Sequence, residues 1–396
     1  MRDDANRGLA VAAWLGLVLA GCSLTFMGVA TLAPRIAADS GLPPEAVGWY
    51  AGTVWSAGLV ASFATAHLVA RWGPWAVTRL CLLACAVGIA VMVSGNPWLF
   101  AVAAVLIGLG QGLEAPAASQ LLAHHVVAAR RPLYFSLKQM GVQVGAVVAS
   151  LCMPLMALTF GWQVALGLVA SVLLVTALLL SRPSKAFAMQ DKTLGQAARS
   201  RAPGRSWLLV LRQHQDLRRL ALAACTFGAT QVCMNSFLVT WMMTQRDAGL
   251  TQAGLLAATA QGAGLIGRPL WGWVAGRHGG SIRVLRFLGL LMCLCAVGIG
   301  VWGSTMSPAL LALTAALFGL SASGWNGVFL SEVATRSMGF DIAAGTAAAM
   351  VPLYGGLIAG PLLFAAVSHA LDMSSGFVLL SVTAGCGTWM LTRLRA

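Results

Sequence analysis

The sequence predicts an all-α membrane protein in which twelve transmembrane helices form two pseudo-symmetric six-helix bundles. Three observations predict this fold: a strongly apolar composition, twelve apolar runs of membrane-spanning length, and an internal repeat. Of the 396 residues, 59% are hydrophobic and only 9% are charged, whereas soluble domains carry about 25% charged residues. So few charges cannot provide the solvated surface of a soluble fold, and that class is excluded.

Membrane-spanning helices need about 20 mainly apolar residues. Twelve runs meet that length, at about 9–33, 47–69, 76–94, 97–122, 133–158, 162–181, 219–243, 252–274, 284–303, 308–330, 343–367 and 375–392. Residues 1–181 and 217–396 therefore form two predicted bundles of six helices each. The polar, basic segment 182–216 is the predicted cytoplasmic linker, and its composition favours a helix lying at the inner membrane surface.

The second half of the chain repeats the first half at an offset of 206 residues. Four positions show the match, with Gly254 on Gly48, Gly264 on Gly58, Arg277 on Arg71 and Gly279 on Gly73. In each copy an apolar helix ends in Arg-x-Gly, and further cations follow. The repeat indicates two related halves, each with a sharp turn in basic surroundings.

The formal net charge of +14 is explained by orientation in a membrane. If the N-terminus is cytoplasmic, all 25 Lys and Arg residues except Arg35 and Arg246 belong to the cytoplasmic side. This is the positive-inside bias, and it predicts that both termini are cytoplasmic. No basic patch is interleaved with aromatic residues, so the charge does not predict a nucleic-acid partner.

The nine cysteines all lie in apolar runs, and none forms a Cys-x-x-Cys pair. They are interpreted as small apolar residues, with no metal site and no cofactor. The sequence from Leu19 to Cys22 resembles a lipoprotein cleavage box. Because the apolar run continues to Pro34, a full transmembrane span is the favoured interpretation.

The turns after the second and eighth spans resemble the Gly-x-x-x-Asp-Arg-x-Gly-Arg-Arg loop of the major facilitator superfamily. Arg71 and Arg277 stand at the first Arg of this motif. The resemblance implies a secondary transporter that works by alternating access. In the family the preceding Asp helps to latch the cytoplasmic side shut, but this chain has Ala70 and Gly276 there. Arg71 and Arg277 are therefore candidate gating residues without the acids of the latch.

Arg268 is a cation close to the predicted membrane midplane. It precedes Arg277 by nine residues, which is about 13 Å along a helix. An Arg at that depth costs about 2.5–3.5 kcal/mol unless it faces water or a partner. By helical periodicity Arg268 shares a face with Gln261 and Gly264. We expect a role in substrate binding or gating, and the alternatives are a structural salt bridge or snorkelling to the membrane surface.

Glu114 and Lys138 are two further charges inside predicted spans. Glu114 lies about 15 Å deep and Lys138 about 10 Å deep, on antiparallel neighbours, so the two can pair. They are candidate coupling or gating residues. Proton coupling through Glu114, a structural ion pair and snorkelling of Lys138 all stay open.

Other polar residues in the second half have the chemistry of substrate donors. These candidate substrate-binding residues are Gln231, Asn235, Gln261, Trp325, Asn326 and Tyr354, together with Arg268. The family resemblance implies that their helices line the transport pathway. Taken singly, each side chain is also compatible with an ordinary helix–helix hydrogen bond.

A central Arg with amide and tyrosine donors suits a small anion, above all a carboxylate, which guanidinium binds bidentately. The stretches 135–142 and 267–272 are similar to the cyanate-permease and related organic-anion branch of the family. The sequence therefore predicts symport, antiport or exchange of an organic anion. The rival functions are a multidrug or metabolite exporter, whose antiporter signature is half met by Gly141 and Gly145, and a non-transporting receptor or lipid flippase.

Several further expectations follow. The sequence has no Gly-x-x-x-x-Gly-Lys-Ser phosphate loop, which argues against nucleotide-driven transport. It also has no nucleophile, base and acid constellation, which argues against an enzyme. We expect a monomer in a bacterial-type inner membrane, whose partners are an anionic substrate, membrane lipids and protons as the coupling ion.

Overall fold

The computed structural model describes residues 2–125, 131–179, 207–277, 280–337 and 342–394. Within these ranges the chain consists of helices and turns, without a strand. The first six helices are α1 (Arg2–Ser40), α2 (Ala46–Trp72), α3 (Pro74–Val93), α4 (Pro97–His125), α5 (Arg131–Phe160) and α6 (Trp162–Leu179). The next eight are α7 (Trp207–Gln213), α8 (Gln215–Arg246), α9 (Leu250–Arg277), α10 (Ser281–Trp302), α11 (Pro308–Ala322), α12 (Trp325–Ser337), α13 (Ile342–Ala370) and α14 (Met373–Thr392).

Each of the twelve predicted spans coincides with a helix, except that the tenth span is divided into α11 and α12. The division falls at Ser323 and Gly324, where the small residues let neighbouring groups approach. A Cβ on Gly324 would meet the carbonyl oxygen of Leu320 and the ring of Trp271. The sequence analysis drew one continuous span because periodicity alone does not reveal such a break.

Ten of the described segments are long and apolar enough to cross a membrane by length and composition. Helices α2 and α9 are not among them. Residues 46–65 of α2 are rich in Gly, Trp, Ser and Thr, and α9 carries Gln261 and Arg268, which lower the mean hydropathy of both helices. The two helices that carry the repeated loop motif are thus less apolar than the other long helices of the described residues.

The chain divides into two compact units. The first unit comprises Met1–Leu42 and Thr53–Pro203, and the second comprises Pro43–Gly52 and Gly204–Ala396. The predicted linker contains the short helix α7, and its residues 182–206 lie outside the described ranges. The domain boundaries drawn from the sequence therefore remain a prediction.

Glycines set the close helix contacts of the first unit. A Cβ on Gly141 of α5 would meet the carbonyl oxygen of Gly16 on α1, and one on Gly145 would meet that of Ala20. Such small residues let transmembrane backbones approach closely. The two glycines of the partial antiporter signature therefore serve the packing of α1 against α5.

Glycines also set the close helix contacts of the second unit. Gly319 of α11 faces the carbonyl oxygen of Ala260 on α9, and Gly356 of α13 faces that of Cys225 on α8. Neither glycine leaves room for a Cβ without a shift of backbone. These contacts fix α9 beside α11, and so fix the helix that carries Gln261 and Arg268.

Candidate functional site

Four of the predicted substrate residues meet on helices α8, α9 and α12 of the second unit. The side-chain nitrogen of Gln261 donates to Oδ1 of Asn235 at 2.8 Å, and that of Asn326 donates to Oε1 of Gln231 at 3.1 Å. Gln231 and Asn235 lie four residues apart on α8, so their side chains stack on one face of the helix. We call these four residues the amide ladder.

On α8, the side-chain oxygens of the amide ladder accept hydrogen bonds, and the NH₂ groups are left as donors. The side-chain oxygens of Asn235 and Gln231 both accept hydrogen bonds from the neighbouring helices. Their NH₂ groups have no acceptor among the residues that the structure describes. Both side chains are half-buried, so they remain accessible. These N–H groups can donate to an anion, and the side-chain oxygen of Asn326 remains an acceptor in the same ladder.

Arg268 lies on α9 seven residues after Gln261, which is about two helical turns, so the two share a face. The residue is half-buried, and its Nε atom is buried without a hydrogen-bond acceptor. Over the described ranges, the ion pairs involve other residues, and no carboxylate lies within 4.0 Å of the Arg268 guanidinium. The guanidinium therefore keeps unused hydrogen-bonding capacity for an anion.

The two aromatic candidates differ in accessibility. Trp325 is fully buried, and its indole packs edge-on against Phe227 at 5.8 Å and tilted against Phe329 at 5.4 Å. Tyr354 is half-buried on α13. In this conformation Trp325 belongs to the packed interior beside the amide ladder, whereas Tyr354 keeps partial access.

Glu114 on α4 and Lys138 on α5 form a buried ion pair in the first unit. The Lys138 Nζ atom lies 2.8 Å from Oε1 and 3.0 Å from Oε2 of Glu114. Each side chain is only 3% exposed. The sequence left open an ion pair, proton coupling through Glu114 and snorkelling of Lys138. In the structure the two side chains form the ion pair, and the buried Lys138 does not reach the surface.

Arg71 and Arg277 are exposed at the ends of α2 and α9, as their place in the loop motif predicts. Each lies near an aromatic ring of its own helix, Arg71 at 6.0 Å from Trp72 and Arg277 at 5.3 Å from Trp273. Neither forms a salt bridge within the described ranges. The structure therefore gives no latch contact for either gating candidate.

Arg79 is a half-buried cation that the sequence analysis did not single out. It lies on α3 and has an Nε atom without a hydrogen-bond acceptor. The charge distribution counted it only as one of the cations of the cytoplasmic side. The signal that could have found it is its position inside the apolar run 76–94.

Comparison with known proteins supports a transporter fold. The family model described as Major Facilitator Superfamily matches residues 13–361. Among solved structures, the chain is similar to a bacterial homologue of the human lysosomal transporter Spinster, in an inward-facing and occupied conformation. The two share 14% sequence identity with a TM-score of 0.75, over 97% of this chain and 96% of the other. No curated protein sequence matches the chain. With a family match over most of its length and this twelve-helix fold, the chain belongs to the Major Facilitator Superfamily.

Proposed function

We propose that the protein is a carrier of a small organic anion, in the simplest case a carboxylate, with Arg268 as the main counter-charge. Membership of the superfamily makes the protein a secondary transporter that works by alternating access. The observation that carries the choice of an anion is the half-buried guanidinium of Arg268, which has no carboxylate beside it over the described ranges.

The energetics favour a ligand at Arg268. A cation at the centre of a membrane-spanning helix is costly unless water or an anion compensates it. Charge-assisted hydrogen bonds from guanidinium to a carboxylate are roughly twice as strong as neutral ones and are frequently bidentate. A bound carboxylate would therefore lower the cost of keeping this charge within the helix.

The amide ladder supports the same ligand chemistry. The NH₂ groups of Gln231 and Asn235 are donors, and both belong to half-buried side chains. An anion can accept from such donors, whereas a cationic drug would need acceptors or an acidic group. The amide ladder is thus compatible with an organic-anion carrier, and the charge of Arg268 is what favours that function over the rival multidrug exporter.

Coupling to protons or to exchange of a second anion is part of the proposal. Glu114 is the candidate proton carrier, because protonation of its carboxylate would break the buried pair with Lys138. Loss of the pair would change the free energy of the conformation that contains it, and in this way one proton would shift the conformational equilibrium of the first unit.

We further propose that the protein resides in the inner membrane as a monomer, with both termini in the cytoplasm.

The test is uptake of labelled carboxylates into proteoliposomes, with the uncharged amides of the same acids as competitors. Loss of a charge-assisted hydrogen bond costs about 1.5–3 kcal/mol, so we expect Arg268→Ala to lower transport by about 10- to 150-fold. Arg268→Lys keeps the charge but loses the bidentate geometry, and it should recover only part of the activity.

Arg218→Ala is the matched control, because Arg218 is an exposed cation of the same unit. It should transport as the wild type does. Unchanged carboxylate uptake by Arg268→Ala, or equal inhibition by the amides and the acids, would end the anion proposal. A well-folded protein that transports none of the acids tested would favour the receptor or flippase alternative.

A further inference from the structure

A small groove lies on the second unit where α9 ends and α10 begins. It has a volume of about 230 Å³ and is lined by Trp271, Val274, Gly280, Arg283, Val284 and Phe287. None of these residues belongs to the amide ladder. The groove is therefore separate from the proposed substrate site.

The walls of the groove are apolar and face outward. The rings of Trp271 and Phe287 lie 5.5 Å apart, and Phe287 is 52% exposed. The indole N–H of Trp271 donates to the carbonyl oxygen of Leu320 at 3.0 Å, which fixes this wall against α11. The exposed ring of Phe287 beside the half-buried ring of Trp271 offers an apolar surface that a lipid chain can cover.

Arg283 supplies a positive charge at the mouth of the groove. Its side chain folds back over the start of α10, because a Cβ on Gly280 would lie 3.2 Å from its Nε atom. Arg283 is exposed and forms no ion pair with any residue that the structure describes. By contrast, the guanidinium of Arg286, one turn further along α10, already donates hydrogen bonds to the carbonyl oxygens of Leu391 and Leu394.

The backbone adds to the positive character at this place. Gly280 provides no side-chain cap for α10, and the first turn of the helix has no acidic residue. The first N–H groups of a helix lack partners within the helix and favour a negative charge. Arg283 and these N–H groups therefore lie at the same end of the apolar groove.

We propose that this groove binds an anionic phospholipid, with the phosphate at Arg283 and one acyl chain along Trp271 and Phe287. The combination of an apolar wall and a cation at the membrane surface fits the two parts of such a lipid. Anionic lipids are attracted to basic residues at the cytoplasmic surface, which is the side on which the charge distribution puts Arg283. A soluble phosphate shares the headgroup chemistry but would not need the aromatic wall.

The cation and the exposed aromatic residue of the groove are not repeated at the corresponding positions of the first half. At the offset of 206 residues, Arg283 and Phe287 correspond to Val77 and Cys81, and both of these are fully buried. The groove is therefore not a general property of the repeat. At these positions the second unit carries a candidate lipid site that the sequence of the first half does not reproduce.

The test is native mass spectrometry of the full-length protein in detergent, titrated with phosphatidylglycerol or phosphatidylcholine. One basic residue near the membrane surface contributes about 1 kcal/mol, so the wild type should prefer phosphatidylglycerol by about fivefold. Arg283→Gln should lose this preference. The matched variant Arg218→Gln, which removes an equally exposed cation outside the groove, should keep it.

Phe287→Ala separates a lipid from a soluble phosphate. It should weaken phosphatidylglycerol binding while leaving the binding of glycerol 3-phosphate unchanged. The proposal is overturned if Arg283→Gln keeps the preference, if Arg218→Gln loses it equally, or if inorganic phosphate displaces phosphatidylglycerol and Phe287→Ala has no effect. Carboxylate uptake by the same variants is expected to persist, so failure here is distinguishable from failure at Arg268.

Discussion

Lys138 in the first unit and Arg268 in the second are both cations within membrane-spanning helices, but their surroundings differ. Lys138 is 3% exposed and lies 2.8 Å from a carboxylate oxygen of Glu114. Arg268 is half-buried, and its Nε atom is buried without an acceptor. Lys138 is thus neutralised by a carboxylate of its own unit, whereas no carboxylate of the described residues lies within 4.0 Å of Arg268.

The difference matters because the two units otherwise use similar means of packing. In the first unit, Gly112 of α4 approaches the carbonyl oxygen of Gly58 on α2. In the second, Gly319 of α11 approaches that of Ala260 on α9. The related scaffolds therefore hold different polar interiors, and the difference in charge is a property of side chains rather than of the helix arrangement.

The largest expected effect is on the stability of the first unit when its ion pair is broken. Glu114→Ala leaves Lys138 buried without a partner, which should lower the free energy of unfolding by about 3–5 kcal/mol. The double variant Glu114→Leu with Lys138→Met should recover most of this loss, because it removes both charges. Thermal unfolding in detergent measures the effect, and equal destabilisation by the single and double variants would contradict the pairing.

The opposite result is expected for the unpaired cation. Arg268→Met should leave the free energy of unfolding unchanged or raise it by up to about 3 kcal/mol, since insertion of an Arg at a helix centre costs that much. The same unfolding assay compares it directly with Glu114→Ala. If Arg268→Met destabilises as strongly as Glu114→Ala, the contrast between the units fails, because Arg268 must then have a partner within the protein.

The shared packing should respond alike in both units. Gly112→Ala and Gly319→Ala each force a Cβ against a backbone carbonyl, and overpacking of this kind costs about 1–3 kcal/mol. The control is Gly262→Ala on α9, where a Cβ would meet nothing within 4 Å. Size-exclusion and thermal unfolding assays report the outcome. A large loss in only one unit would show that the two scaffolds are less similar than these contacts indicate.

The sequence predicted the helices well because membrane-spanning segments have a strong compositional signal. Each apolar run coincides with helix, and the turns near Arg71 and Arg277 end α2 and α9 as expected. The division of the tenth span into α11 and α12 was not predicted; it falls beside Gly324, where Trp271 of α9 approaches the backbone closely. Such an approach depends on neighbouring helices and leaves no period in the sequence.

The candidate residues were predicted with mixed specificity. Depth along a helix singled out Arg268, Glu114 and Lys138, because charges are rare in apolar runs. It did not reveal which of them are paired, and it did not single out Arg79, which lies near the start of its apolar run. Substrate roles for Arg268 and the amide ladder remain predictions that the transport assays address.

The sequence by itself determined the membrane class, the spans and the repeat, since composition and periodicity are local properties. Only the tertiary structure decided that Gln261 bonds to Asn235 and that Asn326 bonds to Gln231. It also decided that Glu114 neutralises Lys138 while Arg268 stays without a carboxylate over the described ranges. The physical reason is that a charge or amide gains its partner from another helix, and the approach of helices is set by packing across the whole unit.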